Sequence, residues 1–107
     1  MNLLRPVLFI FFVAVSSLPA FASSSAERRG ATVFAGNGCQ HCHSIRNIGG
    51  TKGPNLSGVG LRLSKTQMRT QILQGGRQMP SFADILQESE VDDLVEYLHS
   101  CRDKKPK

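Results

Sequence analysis

The chain has 107 residues, with 13 Lys and Arg against 8 Asp and Glu, and a formal net charge of +5. That length favours a single domain. With no Trp, one Tyr and few alternating strand-like runs, it does not hold the material for a large self-sufficient core.

The N-terminus is set apart before any fold reasoning. Arg5 gives a short positive start, residues 7–15 are an unbroken apolar run, and Pro19-Ala20-Phe21-Ala22 supplies small residues in an A-x-A arrangement. This is the layout of a secretory signal peptide cleaved after Ala22. As a retained anchor the run falls short of the ~20 residues a membrane span needs, because Arg5 and Pro6 interrupt it. No cysteine stands at the junction to accept a lipid, and there is no twin-arginine pair. Residues 1–22 are therefore expected to be removed, leaving a domain over residues 23–107 with a frayed basic tail from about residue 103. A domain of about 85 residues usually needs a staple such as disulfides, a metal or a bulky prosthetic group.

Ser24 and Glu27 form a capping-box signature opening a first helix that reaches toward Cys39. Cys39-Gln40-His41-Cys42-His43 follows, the most informative stretch of the chain. In c-type haem attachment two thiols add across the two vinyl groups, and the histidine beside the second cysteine binds the iron. A thioredoxin-like pair would need a strand–helix–strand context that is not visible. A zinc site would need Cys101 or His99 as a fourth ligand, yet structural zinc ligands come as two close pairs. A plain disulfide leaves His43 without a role. The motif and the export signal together point to one haem on Cys39 and Cys42, with His43 as proximal ligand. His41 is expected in solvent, and His99 on the surface of the last helix.

Ser64 with Gln67 opens a second helix, which stops at Gly75-Gly76. Met68 lies within it, four residues before Ile72, and reads as core. Met79 follows the glycines and precedes Pro80, in a segment with restricted backbone freedom. A methionine held this way is suited to a metal; the competing reading is a chance hydrophobe in a turn. Ser89 is expected to cap a last helix, with Glu90, Asp92 and Asp93 in its first turn and Val91, Leu94, Val95 and Leu98 on one apolar face. Cys101 follows Leu98 by three residues and reads as a partly buried free thiol, with intermolecular pairing the alternative.

Three features, in order, resemble the class I monohaem cytochromes c: Cys39-Gln40-His41-Cys42-His43, Gly53-Pro54-Asn55-Leu56, and Met79-Pro80-Ser81-Phe82. The resemblance covers nearly all of the expected mature segment. It implies an all-α small cytochrome c fold, three to four short helices wrapped around one covalently bound haem c. It further implies Met79 as distal iron ligand and the Pro54 carbonyl as acceptor of the His43 Nδ1–H, an arrangement that fixes a metal-bound imidazole. Gly30 and Phe34 would meet Leu94 and Tyr97 where the first and last helices cross. Cys101 has no counterpart in the family pattern.

Residues 28–83 contain no acid but eight cations, whereas Asp84, Glu88, Glu90, Asp92, Asp93 and Glu96 gather after them. Such asymmetry orients a diffusing protein toward a partner of opposite sign; the bland reading is a solvated surface. The function implied is one-electron carriage between redox proteins, partners with an acidic docking patch, by an exported, periplasmic monomer that is not itself an enzyme. Neither nucleic acid nor a membrane span after cleavage is expected. The alternatives are a haem subunit of a dehydrogenase or sulfur-oxidising complex, and a haem enzyme or gas sensor.

Overall fold

The computed structural model describes residues 9–17 and 23–105. Most of the expected signal peptide, including its cleavage point after Ala22, lies outside them. Its described part, residues 9–17, has no regular secondary structure and is exposed, with Phe12 at 94%.

Helix α1 spans Ser25–Gly36. Ser24 Oγ accepts from the Glu27 amide at 3.1 Å, while Glu27 Oε2 accepts from the Ser24 amide at 3.2 Å. Two amides left free at the helix start are thereby satisfied. A single 3₁₀ turn, Cys39–His41, follows. Strands β1 (Ser44–Ile45) and β2 (Ile48–Gly49) then pair antiparallel, with Ile45 opposite Ile48. Their two linking residues, Arg46 and Asn47, have φ of 50° and 65°, the positive values a two-residue hairpin requires.

Helix α2 is one short turn, Val59–Arg62. Helix α3 spans Lys65–Gln74 and carries a second capping box, Ser64 with Gln67. Helix α4 spans Glu88–Ser100. It starts earlier than the sequence suggested: Gln87, not Ser89, is the cap. Glu90 reaches back to accept from the Gln87 amide at 3.0 Å. Asp92, which would serve a cap at Ser89, is instead paired with Arg69 on α3.

The principal packing is α1 across α4. A methyl group added at Gly30 would strike the Asp93 carbonyl and come within 2.6 Å of Tyr97 Cβ, so only glycine permits this approach. Phe34 and Tyr97 meet edge to face, with ring centroids 5.8 Å apart. Val91, Leu94, Val95 and Leu98 are all buried, as their spacing requires of one helical face. Full burial of such a side chain stabilises by about 1.5–3 kcal/mol. Met68 and Ile72 of α3, Val59 of α2, and Phe82 and Leu86 of the α3–α4 connection complete the same core.

The chain after α4 is tied to α2. Gly60 donates to the Cys101 carbonyl at 2.8 Å, and Asp103 donates to the Ser57 carbonyl at 2.9 Å. The Asp103 carboxylate also pairs with Arg46 at 2.9 Å. Anchoring thus extends through Asp103, beyond which Lys104 and Lys105 are exposed.

Candidate functional site

A cleft opens into the core, lined by Phe34, Cys39, His43, Leu56, Ile72, Met79, Phe82, Leu86, Leu94 and Leu98. Its walls are apolar apart from the sulfur and imidazole groups. Cys39, His43 and Met79 come from segments nearly forty residues apart in sequence, yet all line this cleft.

The His43 end is built by the turn after α1. The amides of Cys42 and His43 both donate to the Cys39 carbonyl, at 3.3 and 2.9 Å, which curls the Cys-x-x-Cys-His segment into one turn. Gly53 donates to the Cys42 carbonyl at 2.7 Å and brings the next residue against the ring. His43 Nδ1 lies 2.8 Å from the Pro54 carbonyl oxygen. A carbonyl only accepts, so Nδ1 is the donor here and Nε2 is the nitrogen left for a metal. A β-carbon at position 53 would sit 2.6 Å from His43 Cε1 and 2.8 Å from Nδ1. Glycine is therefore what lets the Pro54 carbonyl close on the ring. His41 is exposed, and the Cys39 thiol is pushed up by burial.

The Met79 end is built by the C-terminus of α3. A helix leaves its last carbonyls without partners, and here the following loop supplies them. Gly75 donates to Gln71, Phe82 to Ile72, and Ser81 Oγ to Leu73. Gly76 and Met79 exchange both backbone hydrogen bonds at 2.9 Å, closing a tight turn around Arg77, whose φ is 53°. Met79 is thus fixed to the helix end, and Gln71 Nε2 lies 3.7 Å from its Sδ. Nothing in the sequence marked Gln71, since a glutamine one turn before a helix end is ordinarily a surface residue. The apolar wall from Phe34, Leu86, Leu94 and Leu98 was readable only as core.

Cys101 is outside this cleft. It is 6% exposed, and its Sγ donates to the Tyr97 carbonyl at 3.4 Å. Burial pushes its thiol up, which makes a poor nucleophile and a poor metal ligand. Among the described residues no three His, Cys, Asp or Glu side chains gather as a metal-binding group, which disfavours the zinc alternative.

The donor set suits a porphyrin. It offers an apolar slot lined by Cys39, the His43 imidazole and the Met79 thioether, with a second thiol, Cys42, on the same turn as Cys39 and two residues between them.

The charge asymmetry along the chain is in part folded onto itself. Arg29 pairs with Asp93 at 2.8 Å, Lys65 with Glu96 at 2.6 Å, and Arg69 with Asp92, so the basic segments face the acidic helix α4. Hydrogen bonds from Arg29 and Arg46 hold the Asp93 and Asp103 carboxyls below the usual range.

Residues 25–98 match the family model of cytochrome c oxidase, cbb3-type, subunit III. Cytochrome c-550 of Bacillus subtilis is 33% identical over 85 residues, which cover 75% of this chain and 68% of that protein. Dihydro-heme d1 dehydrogenase of Pseudomonas aeruginosa is 39% identical over 71 residues, 64% of this chain but 14% of the relative. The quinohemoprotein alcohol dehydrogenase ADH-IIG of Pseudomonas putida is 38% identical over 84 residues, 75% of this chain and 11% of the relative. Among solved structures, the c-type cytochrome SorU from Sinorhizobium meliloti shares the fold, with a TM-score of 0.62 at 23% identity over 72% of this chain and 91% of that one.

Proposed function

Since this chain belongs to the class I cytochromes c and so carries a covalently attached haem c, we propose that it is an exported one-electron carrier with a closed His/Met iron site. In this reading Cys39 and Cys42 supply the thioether bonds, His43 is the proximal ligand and Met79 the distal one. The observation that carries it is the shared cleft: Cys39, His43 and Met79 all line a single apolar slot.

When bound, the haem supplies an iron that alternates between ferrous and ferric states. The chain's own residues hold that exchange within one geometry. Pro54 fixes the His43 ring by accepting a hydrogen bond from its Nδ1–H, which keeps the imidazole basic and its orientation constant. The α3 carbonyls grip the Met79 loop, so the sulfur is held ready and not recruited at each turnover. Leu56, Ile72, Phe82 and Leu94 exclude water, and a dry, rigid pocket changes little with oxidation state. Such a role requires no acid, base or nucleophile. Lys52 and Arg77, which form no salt bridge among the described residues, are left to meet an acidic partner. Export rests on the N-terminal signal layout and makes the periplasm the proposed location.

A second reading is favoured by the two dehydrogenase relatives, of which this chain spans 14% and 11%. In it the protein is the haem electron-transfer partner of a larger oxidoreductase. Purification from the native source separates the two: a free carrier elutes as a monomer, whereas a partner subunit co-elutes with a catalytic chain. Carbon monoxide tests the closed site itself. The ferrous protein is expected to exclude it at neutral pH; rapid stoichiometric binding means an open sixth position, and carriage then gives way to sensing or catalysis.

A further inference from the structure

We propose that Gln71 is a positioning residue for the Met79 sulfur, and that its side-chain amide raises the reduction potential of the protein. The inference rests on the reading of Met79 as iron ligand.

The Gln71 amide nitrogen lies 3.7 Å from Met79 Sδ and 3.2 Å from the Gly75 carbonyl oxygen. A primary amide carries two N–H donors, so both contacts are made at once. A thioether sulfur has two lone pairs. One given to a metal leaves the other for a hydrogen bond, so ligation and acceptance from Gln71 are compatible. The donor also stands on firm ground. Gln71 belongs to the last turn of α3, and the loop carrying Met79 is bonded to the carbonyls of that same turn, Ile72 and Leu73. Donor and sulfur therefore move as one unit.

The consequence is electrostatic. An N–H pointing at the sulfur draws electron density from the lone pairs and places the positive end of an amide dipole beside the metal's ligand. Both effects disfavour the more positive oxidation state, and hydrogen bonds to ligands tune a metal in this way. Gln71 stands exposed at the end of α3, so solvent screens the amide dipole and keeps the effect modest. The bland alternative gives Gln71 one task, holding the turn through the Gly75 carbonyl. Removing it would then alter stability and leave the potential in place.

The test uses haem-loaded wild type, Gln71→Leu and Gln71→Glu, each examined for the weak far-red sulfur-to-iron band and then titrated for reduction potential. The band is expected in all three. Gln71→Leu should shift the oxidation equilibrium about twofold to fivefold toward the ferric form, about 20–40 mV for one electron. Gln71→Glu should fall further, because a carboxylate cannot donate and adds negative charge. Equal potentials in the three proteins, with the band present, overturn the role of Gln71 and leave Met79 ligation standing, even where melting temperatures differ. A band missing from wild type overturns the ligation reading and this inference with it.

Discussion

Replacing Gly53 with alanine adds a single methyl group at the most crowded point of the site. The new β-carbon would lie 2.6 Å from His43 Cε1 and 2.8 Å from Nδ1, well inside van der Waals contact. The backbone cannot retreat easily, since the Gly53 amide donates to the Cys42 carbonyl at 2.7 Å. Nor can the ring turn without losing its bond to the Pro54 carbonyl. Overpacking of this kind costs about 1–3 kcal/mol, and a lost hydrogen bond about 1 kcal/mol more. A net loss of about 2 kcal/mol lowers the melting temperature of a domain this size by about 8–16 °C. Circular dichroism of the haem-loaded protein reads this directly. Gly36→Ala is the control, for nothing lies within 4 Å of the added carbon at the end of α1; it should melt at or slightly above wild type. A Gly53→Ala protein that melts within 2 °C of wild type, an assay margin of roughly 0.5 kcal/mol or less, would refute the steric reasoning.

Gly30→Ala forces α1 away from the Asp93 carbonyl and Tyr97, so its urea midpoint should correspond to a loss of about 2–3 kcal/mol; an unchanged midpoint contradicts the close crossing. Asp93 and Asp103 have carboxyls lowered in the folded state, so their contribution is complete above the unfolded value of about 3.9 and is lost as pH falls through the folded one. Urea midpoints followed from pH 6 to pH 3, an experimental range of about 3 units around those values, should fall less steeply in Asp93→Asn/Asp103→Asn than in wild type, and parallel curves argue against the pairs. The Cys101 thiol is raised, so its contribution is complete below an unfolded value of about 8.5 and is lost as pH rises through the folded one. In native protein near neutral pH it should stay inert to an aromatic disulfide reagent, and immediate reaction would mean that it is exposed.

Much of the fold was legible because its signals are local. Ser24 with Glu27 and Ser64 with Gln67 declare helix starts through side chains that bond their own backbone. The spacing of Val91, Leu94, Val95 and Leu98 declares the buried face of α4. What escaped depends on partners distant in sequence. Helix α2 is a single turn that owes its place to Cys101 and Asp103, forty residues on. The hairpin at Arg46 and Asn47 lacks the glycine that usually marks one, and Arg46 is held there by Asp103. Charge pairing was likewise invisible in the sequence, where nothing announced that Arg29, Lys65 and Arg69 meet Asp93, Glu96 and Asp92 of α4. At the site, Cys39-x-x-Cys42-His43 was plain in the sequence, whereas Gln71 acquired meaning only when α3 and the Met79 loop were seen together.

The central claim is that His43 and Met79 close the iron between them, and the oxidised optical spectrum of the haem-loaded protein tests it most directly. The account predicts a weak far-red sulfur-to-iron band in wild type that disappears in Met79→Ala while the haem stays attached. A wild-type spectrum without that band, or a band that survives in Met79→Ala, would contradict it.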